Sequence, residues 1–249
     1  MGHMNGTLSG DERDRRLIVG PKAKLEAHLS DSLNDRVIRT VASNEGSLTT
    51  LTKNDAGHGI SVGIRQWNQK RGELPDLLKS FHDKSPEKFD ATFGRHAKRL
   101  LSENYVRHAN LAGNKEIMSG MKKALADPEF QEVQVEKFRK FADKSAETAK
   151  KYGLKSEVGA ALVADITNQM GEGGLRRVMR RAGIQPGGEV KDEAVALKAM
   201  ERATRRPNSS ARFDQLASNF SPERIKPRTP VKDTNTYLAQ LDMVTGNIA

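Results

Sequence analysis

The sequence predicts a mostly helical α+β fold carrying one small β-hairpin. Three observations lead there. Nearly all of the chain after Trp67 repeats apolar residues at helical spacing. Residues 47–66 switch to β-branched residues punctuated by turn formers. A hydrophobic content of 36% over 249 residues is enough to fill a real core.

Taken in order, residues 11–29 alternate charges with Leu17, Ile18, Val19, Leu25 and Leu29, which predicts a leading helical segment opened or split by Pro21. Ser32 or Asn34 then caps a helix whose apolar residues Val37, Ile38, Val41 and Ala42 recur at helical spacing. Glu45-Gly46 ends it, because glycine suits the turn after a helix. Residues 47–66 form the hairpin, with room for a third short strand. Beyond Trp67, Pro75, Pro86 and Pro128 sit where a first-turn proline is tolerated, the last two behind Ser85 and Asp127. Residues 127–152 predict one long helix with Phe130, Val133, Phe138 and Phe141 on one side. Residues 156–170 are apolar nearly all round, as in a buried helix. That helix ends at the glycines of 171–174. A basic helix over 175–182, a break at 185–188, a helix near 192–205 and a loop at 207–210 complete the chain.

The balance of 42 Lys+Arg against 32 Asp+Glu gives a net charge of +10, a surface that attracts polyanions or an anionic wall. There are no cysteines, so disulfide and thiolate chemistry are excluded. No stretch approaches the length of a membrane span, so no membrane insertion is expected. Residues 1–4 (Met-Gly-His-Met) look like a cloning remnant, and 5–249 read as a single domain with no export signal.

The window from Glu45 to Ser61 carries the chemistry. Glu45 emerges at a helix end, where desolvation and the negative end of the helix dipole raise a carboxyl pKa; it is the candidate general acid. Asp55, in a Gly-rich turn open to water and donors, suits the ionised partner. Glycosidic hydrolysis uses such a pair, an acid on the leaving oxygen and a carboxylate for water or the oxocarbenium-like centre. Ser61 offers a hydroxyl to hold the attacking water, while Gly57, Gly59 and Gly63 leave room for a sugar. Taken singly, Glu45 and Asp55 are ordinary surface carboxylates; taken together they form a site.

These residues resemble the phage-type lysozymes, in which a helix-terminal glutamate precedes a hairpin aspartate, with a threonine six positions later in a Thr-Ile-Gly-Ile context. Asp55 and Ser61 keep that offset, and Ser61-Val-Gly-Ile64 resembles the strand. Two departures are one extra residue between Glu45 and Asp55, and serine for threonine. The related chitosanases are a second resemblance, through a helix ending in Asp-x-x-x-x-His-Gly, similar to 165–171 here with Met170 at the histidine. The resemblance implies a lysozyme-like domain with a hairpin lobe near 45–67 and a helical lobe over about 72–249 flanking a cleft. It also implies a muramidase cleaving β-1,4 bonds of peptidoglycan, without a cofactor, with Glu45, Asp55 and Ser61 catalytic. The expected place of action is the bacterial periplasm or wall, reached by secretion-system delivery or phage lysis. A cognate immunity protein is a candidate partner, and no specific nucleic acid is expected. The rival readings are a chitosanase and a non-catalytic basic module binding wall or nucleic acid.

Four further residues are candidate substrate contacts, each with a plainer reading. His58 and Gly59 lie in the hairpin turn, though a lone turn histidine is commonly a surface residue. Trp67 stacks on a sugar or fills the core. Gln169 binds a sugar amide or makes a capping contact. Glu172 is a rival acid in Gly-rich surroundings. Arg176, Arg177, Arg180 and Arg181 form either a solvated helix face or a recruiting surface for anionic polymer. No metal-ligand spacing appears.

Overall fold

The computed structural model describes residues 17–18, 25–30, 32–206 and 208–220. It resolves into two compact units, one comprising residues up to His28 with Glu45–Lys137, the other Leu29–Asn44 with the chain from Phe138 on. The chain passes between them at three places, after His28, near the end of helix α1 (Leu33–Glu45) and inside helix α7 (Pro128–Lys151).

The first unit holds a four-stranded antiparallel sheet in chain order, β1 (Leu17–Ile18), β2 (Thr50–Thr52), β3 (Ser61–Val62) and β4 (Trp67–Asn68). Leu17 pairs with Leu51 and Ile18 with Thr50, which corrects the helix expected there. The free edge of β2 decides the matter, because pairing on a sheet edge overrides weak local helical periodicity. Pro21 lies outside the described residues. The third strand is β4, joined to β3 by a turn over residues 63–66 in which Gly63 and Gln66 take positive φ.

Strands this short need outside help. Two buried glutamines supply it. Gln134, fully buried on the first part of α7, donates from Nε2 to the Leu48 carbonyl at 3.0 Å and accepts from the Ile64 N–H at 3.2 Å. Gln69 accepts from the Ile60 N–H at 3.1 Å and donates to the carbonyls of Val106 and Ala109 at 2.8 and 2.7 Å. The sheet is thus tied through side-chain amides to α7 and to the end of helix α5 (Glu103–His108).

Helices α2 (Glu73–Lys84), α3 (Pro86–Phe93), α4 (Ala97–Leu100) and α6 (Lys115–Ala126) complete this unit. Its aromatic core runs Phe93–Phe89–Phe81–Phe130, with ring centroids 4.8 to 5.8 Å apart. Asp127 accepts from the N–H groups of Glu129 and Phe130 and caps α7 as expected, whereas Ser85 spends its hydroxyl on Glu129 instead of capping α3.

In the second unit, Ser32 caps α1 through Asp35 N–H. Asp35, 1% exposed, accepts from Arg139 through both oxygens at 2.8 and 3.1 Å and from the N–H and hydroxyl of Ser30 at 2.7 Å. Ser156 caps helix α8 (Glu157–Arg181), which breaks at Gly171, where φ is 67° and ψ 174°. That break falls where the glycine run predicts a helix end. Helices α9 (Glu193–Thr204) and α10 (Ser209–Asn219) follow. Helix α10 begins at Ser209, within the stretch read from sequence as a loop; Pro207 lies outside the described residues.

Gln134→Leu keeps the volume but orphans a buried N–H and a buried carbonyl. Chemical denaturation is expected to show a loss of about 2 to 6 kcal/mol, at roughly 1 to 3 kcal/mol per orphaned group. At Asp35, burial favours the neutral acid, yet the hydrogen bonds from Arg139 and Ser30 and the Arg139 charge together outweigh it and lower the pKa. A carboxyl lowered on folding contributes stability above its unfolded pKa of about 4, and loses it as the pH falls through the folded value. Asp35→Asn should therefore cost roughly 2 to 3 kcal/mol near neutrality, and the gap to wild type should shrink below about pH 4 in pH-resolved unfolding curves.

Candidate active site

Three residues of the hairpin converge. β2 leads into a turn in which the Asp55 N–H donates to the Gly59 carbonyl and the His58 N–H to the Asp55 carbonyl, both at 2.8 Å. Asn54 accepts the Gly57 N–H at 2.9 Å, and Lys70 Nζ donates to the Gly57 carbonyl at 2.7 Å. The turn so fixed aims Asp55 back at β3, where Ser61 Oγ donates to Asp55 Oδ2 at 2.7 Å. The register of β3 and β4 sets Ser61 opposite Asn68. Asn68 Nδ2 lies 3.0 Å from Asp55 Oδ2 and 2.9 Å from Ser61 Oγ. Those two acceptors subtend too narrow an angle for both amide hydrogens, so one N–H is shared between them.

Asn68 is itself held. Its Oδ1 accepts the Arg71 N–H at 3.1 Å, and its own N–H donates to Glu73 Oε2 at 3.2 Å. Ser61 and Asn68 are 0% and 1% exposed, while Asp55 is half-buried. Among the described residues, no hydrogen bond to Asp55 Oδ1 accompanies the two on Oδ2. Both of the hydrogen bonds that anchor the carboxylate thus fall on one oxygen.

Ser61 consequently differs from its sequence reading. A hydroxyl with no exposure that donates to Asp55 is placed to orient that carboxylate and not to reach an incoming molecule. Asn68 was missed by sequence reasoning. The signal was there: a tight turn over 63–66 that pairs Val62 with Trp67 also pairs Ser61 with Asn68.

Glu45 is the last residue of α1 and belongs to the same unit as the hairpin. Gly46, next to it, shows how closely this helix end meets the strands: a Cβ there would sit 3.0 Å from Thr50 Oγ1 and 3.2 Å from the Gly63 carbonyl. The Ser47 N–H donates to Thr50 Oγ1 at 2.7 Å and fastens the exit. The backbone that follows Glu45 is thereby held against Thr50 and the Gly63 carbonyl.

The remaining candidates fare differently. His58 is exposed on the turn beside Asp55. Gly59 makes no room for substrate: a Cβ there would come 2.3 Å from Gln69 Oε1, so the glycine serves the Gln69 bracket. A Cβ at Gly63 would likewise overlap Gln134 Oε1, and Gly57 alone of the three faces open space. Trp67 is 2% exposed, packed in the core with no free face for a sugar. Gln169 lies in the second unit, donating to Asp165 Oδ2 at 2.6 Å and accepting from Arg206 at 3.3 Å, with Asp165 gripped by Arg212 at 2.6 Å. Glu172 is exposed and bonded to Lys144 at 2.6 Å; that hydrogen bond, then the Lys144 charge, lowers its pKa and unfits it as an acid. Among the described residues no group of three His, Asp or Glu side chains is placed to hold a metal ion.

The fold is lysozyme-like α+β. No family model and no curated protein matches the chain. Among solved structures, it is similar to the crystal structure of a glutamate-to-alanine mutant chitosanase from Bacillus subtilis MY002 complexed with six GlcN units. The TM-score is 0.59 at 18% identity, covering 81% of this chain and 94% of that one.

If Asp55 acts on a glycan, Asn68→Ala should cut turnover about tenfold, as loss of one or two hydrogen bonds at about 1.4 kcal/mol per decade implies, while KM changes less than twofold. Steady-state kinetics on soluble glycan fragments, with a thermal melt as folding control, checks this.

Proposed function

We propose that the protein is a glycoside hydrolase that cleaves β-1,4 bonds of bacterial peptidoglycan. One observation carries the reading: a half-buried carboxylate, Asp55, held through Oδ2 by Ser61 and Asn68, on the hairpin that follows the helix ending at Glu45. Glu45 protonates the departing sugar oxygen. Asp55 takes a proton from water through Oδ1 as that water attacks the anomeric carbon. Ser61 and Asn68 keep the carboxylate aimed and never touch the sugar. Such a pair acts with inversion when its carboxyl groups stand about 6.5 to 9.5 Å apart.

The substrate choice rests on charge. At +10 the protein is repelled by chitosan, a polycation in mild acid, and attracted by anionic walls. Action in the periplasm or wall, as a delivered antibacterial effector or a phage lysin, follows from that substrate, and an effector would be matched by an immunity protein. Chitosan hydrolysis is the second reading, favoured by the GlcN-bound chitosanase among similar structures.

The test is mass spectrometry of purified peptidoglycan digested by wild type and by Glu45→Gln. Wild type should release muropeptides with reducing ends, and the variant should be slower by about 10² to 10⁴, the span of a lost general acid. Anhydro ends would mean a lytic transglycosylase, and GlcN oligomers from chitosan with no release from peptidoglycan would favour the second reading. Equal activity in both proteins would move the chemistry off Glu45.

A further inference from the structure

The second unit carries an arginine surface that the proposed reaction does not use. After the break at Gly171, α8 buries Leu175, Val178 and Met179 and exposes Arg176, Arg177, Arg180 and Arg181. At 100° per residue these four occupy one arc about 140° wide, opposite the buried one. The C-terminal end of α9 adds exposed Arg202, Arg205 and Arg206. Two hydrogen bonds bring the groups together: Arg181 Nη1 donates to the Ala203 carbonyl at 3.5 Å, and Arg206 Nη1 to Gln169 Oε1 on α8 at 3.3 Å.

This surface is short of counter-charge. Elsewhere cations meet carboxylates closely, as in Lys84 with Glu132 and Glu136, Lys88 with Glu129, and Lys137 with Asp76, all within 2.9 Å. Here Glu172 is taken by Lys144 and stands 3.9 Å from Arg176, and buried Glu201 is taken by Lys198 at 3.0 Å. Arg177, Arg180, Arg202 and Arg205 have no ion-pair partner among the described residues. A favourable helix dipole accounts for basic residues in a last turn, which covers Arg180, Arg181 and Arg202 but not the others.

Residue type narrows the partner. The four cations left without an ion pair here are all arginine, whereas Lys144 and Lys198 beside them are taken by Glu172 and Glu201, and the planar guanidinium pairs two-pronged with phosphate oxygens where lysine offers a point charge. We propose that this surface docks a phosphodiester-linked anionic polymer of the bacterial cell wall, of the teichoic-acid type. The choice of a wall polymer over nucleic acid rests on the wall-glycosidase reading; the phosphate chemistry rests on the arginines alone. Docking raises the local concentration of enzyme at the wall without entering the reaction.

The experiment is co-sedimentation with Gram-positive walls, either intact or stripped of phosphodiester polymer by hydrofluoric acid, which leaves the peptidoglycan in place. A variant carrying Arg176→Gln, Arg177→Gln, Arg180→Gln, Arg202→Gln and Arg205→Gln is compared with wild type, with a thermal melt to confirm folding. The expected result is binding of wild type to intact walls at least tenfold stronger than that of the variant, falling steeply with salt as released counterions dictate. On stripped walls the two proteins should bind alike. Equal retention of the two proteins on intact walls would overturn the proposal, as would a duplex DNA oligonucleotide that outcompetes intact walls. Release of reducing ends from stripped peptidoglycan is read separately, with both proteins expected to be equal. Loss of that release with phosphodiester-dependent binding retained would count against the glycosidase and leave the docking surface standing.

Discussion

The candidate site depends on two glutamine side chains that take the place of sheet. The paired strands of the hairpin are two or three residues long, too short to hold a register by their own ladder. Gln134 bonds the backbone on both sides of it, at Leu48 and Ile64, and Gln69 clamps Ile60 to the end of α5. Both amides need glycine opposite them, at Gly63 and Gly59, because any Cβ there would overlap their oxygens. The glycines and glutamines work as matched pairs. A register slip of one residue would turn Ser61 to the other face and scatter the cluster around Asp55.

From that register the chemistry follows with few free choices. Ser61 and Asn68, facing each other across β3 and β4, are both buried and both directed at one oxygen of Asp55. In the proposed mechanism a carboxylate fixed at one oxygen is preorganised to receive a water on the other, since little reorientation remains to be done during reaction. The cost of ordering it is met during folding, by the same glutamine brackets that hold the strands.

Much of this was legible in the sequence, and what was not has definite causes. The end of α1 at Glu45 could be read because its apolar spacing and the Glu-Gly pair agree. The break at Gly171 was readable for a similar reason, a glycine run interrupting a buried helix. The strand at Leu17 was not, since only its tertiary partner Leu51 makes it a strand. Trp67 and Gly59 were misleading: the same residue types serve a binding site and an interior, and the deciding neighbours, such as Gln69 ten positions after Gly59, show only in three dimensions. Asn68 escaped because its role comes from the pairing of β3 with β4 and not from a motif.

Crystallography of Glu45→Gln with a bound glycan oligomer would show where the scissile linkage lies relative to Asp55. The scissile linkage is expected over the hairpin, with a water on Asp55 Oδ1 and about 3 to 3.5 Å from the anomeric carbon, the separation of a near-attack geometry. A glycan bound away from the hairpin, or one that leaves no space for water at Asp55, would contradict it.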